Sequence, residues 1–292
     1  MKKSARSFIT ADRLGTVEKA FAHALLLMFV LISPAYTLSD SGLDSGSIKQ
    51  ARQELFVTAE EVKQMLDTKK PLALVDIRSQ GEYSQAHIPG SLNIRVHFIR
   101  TKILLKSSPV VIVTDGYQYA GLEPECKRLT EQGFLVTILF GGLNSWKHAG
   151  LPLEGEAWMA KTFDHISPEA FYLEKGYGHW VVLDASGKDA GKQSMPYAVR
   201  FDPDAQLFAP SRLKGTVEKN RKSGQCLVLI ANDTGAEYQS IARIVSKAEL
   251  KNVFYLEGGI RAYDQYLKSA ALSQEPKEKR VQKIQKCPTC GG

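Results

Sequence analysis

The sequence predicts an α/β protein made of two doubly wound, parallel-sheet domains in tandem. Three observations carry this. Short apolar runs alternate with helical segments, the same order of segments returns in the second half, and 292 residues with 43% hydrophobic content suffice for two domains with a core each. The runs lack the apolar/polar alternation of a half-wet antiparallel sheet, which is the mark of parallel strands covered on both faces.

Residues 1–35 read as an export signal or an uncleaved anchor. Lys2, Lys3, Arg6, Arg13 and Lys19 stand against Asp12 and Glu18, a net +3, and the apolar run Ala20–Ile32 follows, ended by Ser33-Pro34-Ala35. Cleavage after Ala35 is the favoured outcome. The run to Leu38 is also nearly long enough to span a bilayer, although His23 and Pro34 count against that. The chain is therefore expected to be exported, to a periplasm, or anchored facing one. The formal charge of +7 is partly this leader and partly the C-terminal tail, so it marks no nucleic-acid surface, and membrane contact is expected only if the leader stays uncleaved.

Residues 36–54 are a linker, with Ser, Gly and Asp concentrated from Leu38 to Ser47. The first domain spans 55–155. Thr58 to Glu61, "TAEE", is a capping box, and Val62, Met65 and Leu66 form the apolar stripe behind it. Leu72–Ile77, Val110–Thr114 and Phe134–Phe140 are buried strands, and 120–132 is a helix closed by Gly133. The second domain, 163–270, repeats this. Ser167-Pro168 starts a helix, Trp180–Ala185, Cys226–Ala231 and Asn252–Gly259 match the strands, and 236–248 matches the helix. Corresponding positions are offset by 108 to 119 residues, a drift that indicates duplication with loop insertions rather than a short-period solenoid. Residues 271–292 are a basic tail ending in "CPTCGG".

These residues resemble the rhodanese family of sulfurtransferases. The resemblance rests on "VDIRSQGEYSQAHIPGSLNI" (75–94), the strand and Gly-bearing loop at 110–121, and "FGGLNSWKHAGLPL" (140–153); the second half keeps "LEGGIRAYDQYL" (256–267) but replaces "RSQGEY" by "SGKDAG". Asp76, Arg78, Glu82, Gly141, Gly142, Trp146, Gly258 and Gly259 are the family-motif positions to which structural roles fall.

The resemblance implies sulfur transfer by a cysteine that follows the fourth strand, in a Cys-x-x-Gly-x-Arg loop whose backbone N–H groups cradle a persulfide at a helix start. Anchored on Gly116, Val113 takes the cysteine position and Gln118 the arginine position. Anchored on Gly235, Asn232 and Glu237 do. A shift of one residue brings Thr114 or Asp233, still without a thiol. Asp115, Asp233 and Glu237 add negative charge that would repel an anionic donor and could itself satisfy the helix start. Both loops are expected to be silent in the family's reaction, and Thr114 as a substitute nucleophile lacks a visible base.

Cys126 and Cys226 fall in core elements and are expected to be inert. Cys287 and Cys290 follow a segment with five Lys or Arg against two Glu, which favours thiolate. Three readings of the pair stand open: a solvated tail with an incidental disulfide, thiol exchange or persulfide carriage, and metal binding. Zinc would need two more ligands from a partner, and c-type haem would need His where Gly291 stands. No cofactor is expected, and no metal site within the chain. The expected partner is another protein or a sulfane-sulfur donor. Two functions follow: a non-catalytic binding or scaffold module, or a sulfur carrier, sulfurtransferase or thiol–disulfide protein that uses Cys287 and Cys290.

Overall fold

The computed structural model describes residues 55–274 except 160, 188–192, 204–209 and 223. The leader, the linker 36–54 and Cys287 and Cys290 lie outside the described residues. The first half runs β1 (Phe56–Val57), α1 (Ala59–Asp67), β2 (Ala73–Asp76), α2 (Gln80–Gln85), β3 (Leu92–Asn93), α3 (Val96–Ile99), a 3-10 turn (Ile103–Ser107), β4 (Val110–Val113), α4 (Tyr119–Glu131), β5 (Val136–Leu139) and α5 (Gly142–His148). The second runs β6 (His165–Ile166), α6 (Pro168–Glu174), β7 (Trp180–Asp184), β8 (Val199–Arg200), α7 (Pro210–Asn220), β9 (Leu227–Ala231), α8 (Tyr238–Lys247), β10 (Val253–Leu256) and α9 (Gly259–Gln274).

Each half builds a five-stranded sheet, in the orders β1-β5-β4-β2-β3 and β6-β10-β9-β7-β8, and every strand pair is parallel. The two orders are one permutation, which fits tandem domains of one fold. The unbroken apolar runs have a direct cause. Successive side chains on β4 point to opposite faces, so Val110 and Ile112 join one core cluster while Val111 and Val113 join another. The cluster containing Val110 and Ile112 also takes in Phe171, Trp180, Phe254 and Tyr263 of the second half, so it is shared between the two sheets.

Local chemistry sets the helix ends. The capping box at Thr58 is present, with the Glu61 amide donating to Thr58 Oγ1 at 3.2 Å and the Thr58 amide to Glu61 Oε2 at 2.8 Å. A second box begins α2, where Glu82 accepts from the Ser79 amide at 2.9 Å; this is the work of Glu82 in the motif. Gly133, at φ 86°, closes α4 as the sequence indicates. Most strand ends fall one to three residues inside the apolar runs, where the flanking residues turn into the connecting loops, while the starts at Val110 and Trp180 and the end at Ala231 coincide with them. Among the described residues no helix is long and apolar enough to cross a membrane.

Candidate functional site

The two loops that follow the central strands β4 and β9 are built alike. Thr114 and Asp115 carbonyls accept from the Leu143 and Asn144 amides at the start of α5, at 2.9 and 3.2 Å; Asn232 and Asp233 carbonyls accept from Ile260 and Arg261 at the start of α9, at 2.8 and 3.1 Å. Close backbone approach explains the glycines. A Cβ on Gly142 (φ 47°) would lie 2.2 Å from the Thr114 carbonyl oxygen, and one on Gly259 (φ 64°) would lie 2.4 Å from the Gly235 nitrogen. Gln118 (φ 78°) and Glu237 (φ 62°) are the left-handed residues that lead into α4 and α8.

The geometry separates the two alignments of the first loop. Val113 is the last residue of β4 and packs in a core cluster, so Thr114 is the side chain that enters the loop. Its hydroxyl is fully committed: it accepts from the Gly116 amide at 3.1 Å and donates to the Tyr117 carbonyl at 3.2 Å, within a buried residue. No base adjoins it. In the second loop Asn232 does the same work, accepting from the Gly235 amide at 2.6 Å and donating to the Ala236 carbonyl.

The sequence left open that the loop carboxylates satisfy the helix starts, and among the described contacts they do not. Asp115 accepts from Arg78 Nη1 at 3.1 Å, and Asp233 accepts from Arg261 Nε and Nη2 at 3.1 and 2.6 Å. Glu237 makes no side-chain cap at α8. In both loops a charged arginine takes the carboxylate in place of the neighbouring amides, through a single Nη1 bond at Asp115 and through a bidentate fork at Asp233. Burial pushes the Asp115 carboxyl above its ordinary value, and the Arg78 charge offsets part of this.

The start of α4 is instead closed from the other half of the molecule. Glu174, the last residue of α6, is buried and accepts from the Tyr119 amide (3.1 Å) and the Ala120 amide (3.1 and 3.2 Å). Burial pushes this carboxyl up too, against the two amides that favour its charge. A carboxyl group thus already occupies the helix start to which the resemblance assigns the persulfide cradle. Beside it, the Tyr119 hydroxyl accepts from the Gly141 amide at 2.7 Å. Sequence reasoning missed Glu174. The available signal was its spacing, three residues beyond Phe171 on that helix's buried side.

Arg78 is a structural cation. It donates from Nε and Nη2 to Asp76 at 3.0 and 2.7 Å and from Nη2 to the Ala86 carbonyl at 2.6 Å, so it ties β2 to α2 and to the β4 loop. The second half has Ser186 in its place; Asp184 accepts from the Ser186 amide as Asp76 does from the Arg78 amide. Trp146 is buried and its indole N–H donates to the Pro152 carbonyl at 2.8 Å.

A cleft of about 350 Å³ opens beside the first loop, lined by Asp115, Tyr117, Lys161, Phe163, His165 and Glu257. Lys161 against Asp115 and Glu257 gives the lining charge of both signs, and the hydrogen-bonded Asp164 raises the pKa of His165. Among the described residues the free thiols are Cys126 and Cys226, and neither lines this cleft. Burial pushes Cys126 up to about 12 and raises Cys226 as well, so both are held as thiols. Among the described residues no group of three or more His, Cys, Asp or Glu gathers as a metal site.

Residues 58–149 match the rhodanese-like domain family. A "Sulfurtransferase" of Allochromatium vinosum is 33% identical over 102 residues, which are 33% of this chain and 92% of that protein. An HTH-type transcriptional regulator of Mycobacterium tuberculosis is 31% identical over 86 residues, 28% of this chain and 38% of that one. Among solved structures, the rhodanese-like domain of an Anabaena protein is 25% identical over 37% of this chain and 83% of its own, at a TM-score of 0.32. A thiosulfate sulfurtransferase of Pseudomonas aeruginosa is 19% identical over 72% of this chain and 42% of its own, at 0.31. The chain belongs to the rhodanese-like sulfurtransferase family.

Proposed function

We propose that the protein is a non-catalytic member of its family, an exported tandem rhodanese-like module that binds another protein in sulfur or envelope metabolism. The observation that carries this is the state of the first loop. Thr114 stands where the reactive sulfur would be, its hydroxyl is spent on the loop itself, and Glu174 holds the helix-start amides. The second loop offers Asn232 in the same internal role. A cradle with no sulfur and a resident carboxylate cannot form the persulfide on which the family's reaction depends.

A second reading has its own motive: Cys287 and Cys290 lie after a cation-rich segment, and a Cys-x-x-Cys pair can accept sulfur or exchange disulfides. One comparison separates the two. Full-length protein and a Cys287→Ser, Cys290→Ser double variant are assayed for cyanide-dependent thiocyanate formation and for reduction of a protein disulfide. The binding-module reading expects neither activity in either protein. Activity that disappears in the double variant establishes the carrier instead, and activity that survives in it overturns both.

A further inference from the structure

The segment that links edge strand β3 to β4 carries a surface that the loops do not explain. No Asp or Glu occurs between Glu82 and Asp115, whereas Arg95, His97, Arg100, Lys102 and Lys106 all fall within that stretch. All five are exposed, and Arg95, Arg100 and Lys102 make no ion pair among the described residues. Interleaved with them, Phe98 is 53%, Ile103 74% and Leu104 88% exposed, on two successive short turns whose buried anchors are Ile99 and Leu105. Lys106 lies 4.9 Å over the Phe134 ring and donates to the Gln132 carbonyl, which brings the segment beside Leu135, itself 61% exposed. The anchored turns hold these apolar side chains outward at a real cost in hydration.

The geometry points to this surface as a docking site for an anionic lipid bilayer. Exposed aliphatic and aromatic side chains interleaved along the chain with cations, in a stretch that contains no acid, match the interfacial zone, where apolar groups enter the acyl boundary and cations meet headgroup phosphates. An acidic protein face fits less well. Protein interfaces deplete lysine and bury their apolar residues at the centre, whereas here the highly exposed Ile103 and Leu104 sit on a short turn among lysines and arginines. The contact is independent of the N-terminal apolar run, and it extends the sequence expectation, which confined membrane contact to that run.

The test uses the full chain carrying Leu104→Trp, with vesicles of brominated-acyl phosphatidylcholine alone or mixed with phosphatidylglycerol. Because the N-terminal run could bring the chain to either vesicle, the readout is local: quenching of the L104W indole in excess of that of the native tryptophans. The expected result is quenching that requires phosphatidylglycerol, falls with salt, and shifts to about 30-fold higher lipid concentration when Arg100→Gln and Lys102→Gln are added, from about fivefold per cation. Absence of extra quenching on phosphatidylglycerol vesicles overturns the proposal, as does equal quenching on both. Binding of the full chain to polyglutamate without lipid quenching would overturn it in favour of an acidic protein partner. Circular dichroism of each variant verifies the fold, which these exposed positions do not support.

Discussion

Truncating Glu174 to alanine removes the carboxylate that accepts from the Tyr119 and Ala120 amides at the start of α4. The Tyr119 amide is buried, so orphaning it costs about 1–3 kcal/mol, whereas Ala120 is exposed and its amide can turn to water. Part of that is returned, because the carboxylate is itself held at an unfavourable burial, as its raised pKa shows. The net expectation is a loss of about 1–2 kcal/mol, or roughly 2–8 °C in Tm for a protein of this size. Urea unfolding of full-length protein at neutral pH measures it, and hydrogen exchange at the amides of 119 and 120 localises it. A loss below about 0.5 kcal/mol with unchanged protection would refute the claim that Glu174 closes the cradle. The sign of the pH dependence gives a second check. A carboxyl whose folded pKa lies above its ordinary 4.5 contributes stability that is fully present below 4.5 and is lost as the pH rises through the folded value. Relative to Glu174→Gln, the wild type should therefore gain stability as the pH is lowered across that window.

Four further outcomes follow from the same structure. Arg78→Met leaves Asp76 and Asp115 buried without their cation and should cost about 3–5 kcal/mol in denaturant unfolding. Gly142→Ala forces a Cβ onto the Thr114 carbonyl at positive φ, so a destabilisation of at least about 2 kcal/mol is expected by thermal unfolding. Thr58→Ala removes a cap from α1 and should cost about 1 kcal/mol, with hydrogen exchange faster in that helix alone. Thr114→Cys supplies the absent sulfur but leaves Glu174 and Asp115 in place; it is expected to form no thiocyanate from thiosulfate and cyanide, whereas turnover by that variant would show the cradle to be open.

What the sequence disclosed and what it withheld divide along chain distance. The strands were legible because both faces of a parallel sheet are covered: Val110 to Val113 need only be apolar, whichever face each residue meets. Thr58 with Glu61 was legible because a capping box closes within three residues. The short edge strands Leu92–Asn93 and Val199–Arg200, and the helix Pro210–Asn220, escaped because two-residue strands have no period and that helix has only a narrow apolar stripe of Leu213 and Val217. At the site, the missing thiol was plain from the residues themselves. The partners of the charges were not. Asp115 and Asp233 sit next to helix starts in sequence, which made capping available to them, but they pair with arginines 37 and 28 residues away. The carboxylate that does cap α4 comes from 54 and 55 residues further along the chain. No local rule assigns such a contact; it exists because the shared core brings α6 against α4.

Peptide-level mass spectrometry of the full chain after incubation with thiosulfate, with and without cyanide treatment, asks most directly whether either loop can hold a transferred sulfur. The account predicts no cyanide-labile sulfur on any peptide from residues 55–270. Such a sulfur on a peptide bearing 110–121 or 227–238 would contradict it.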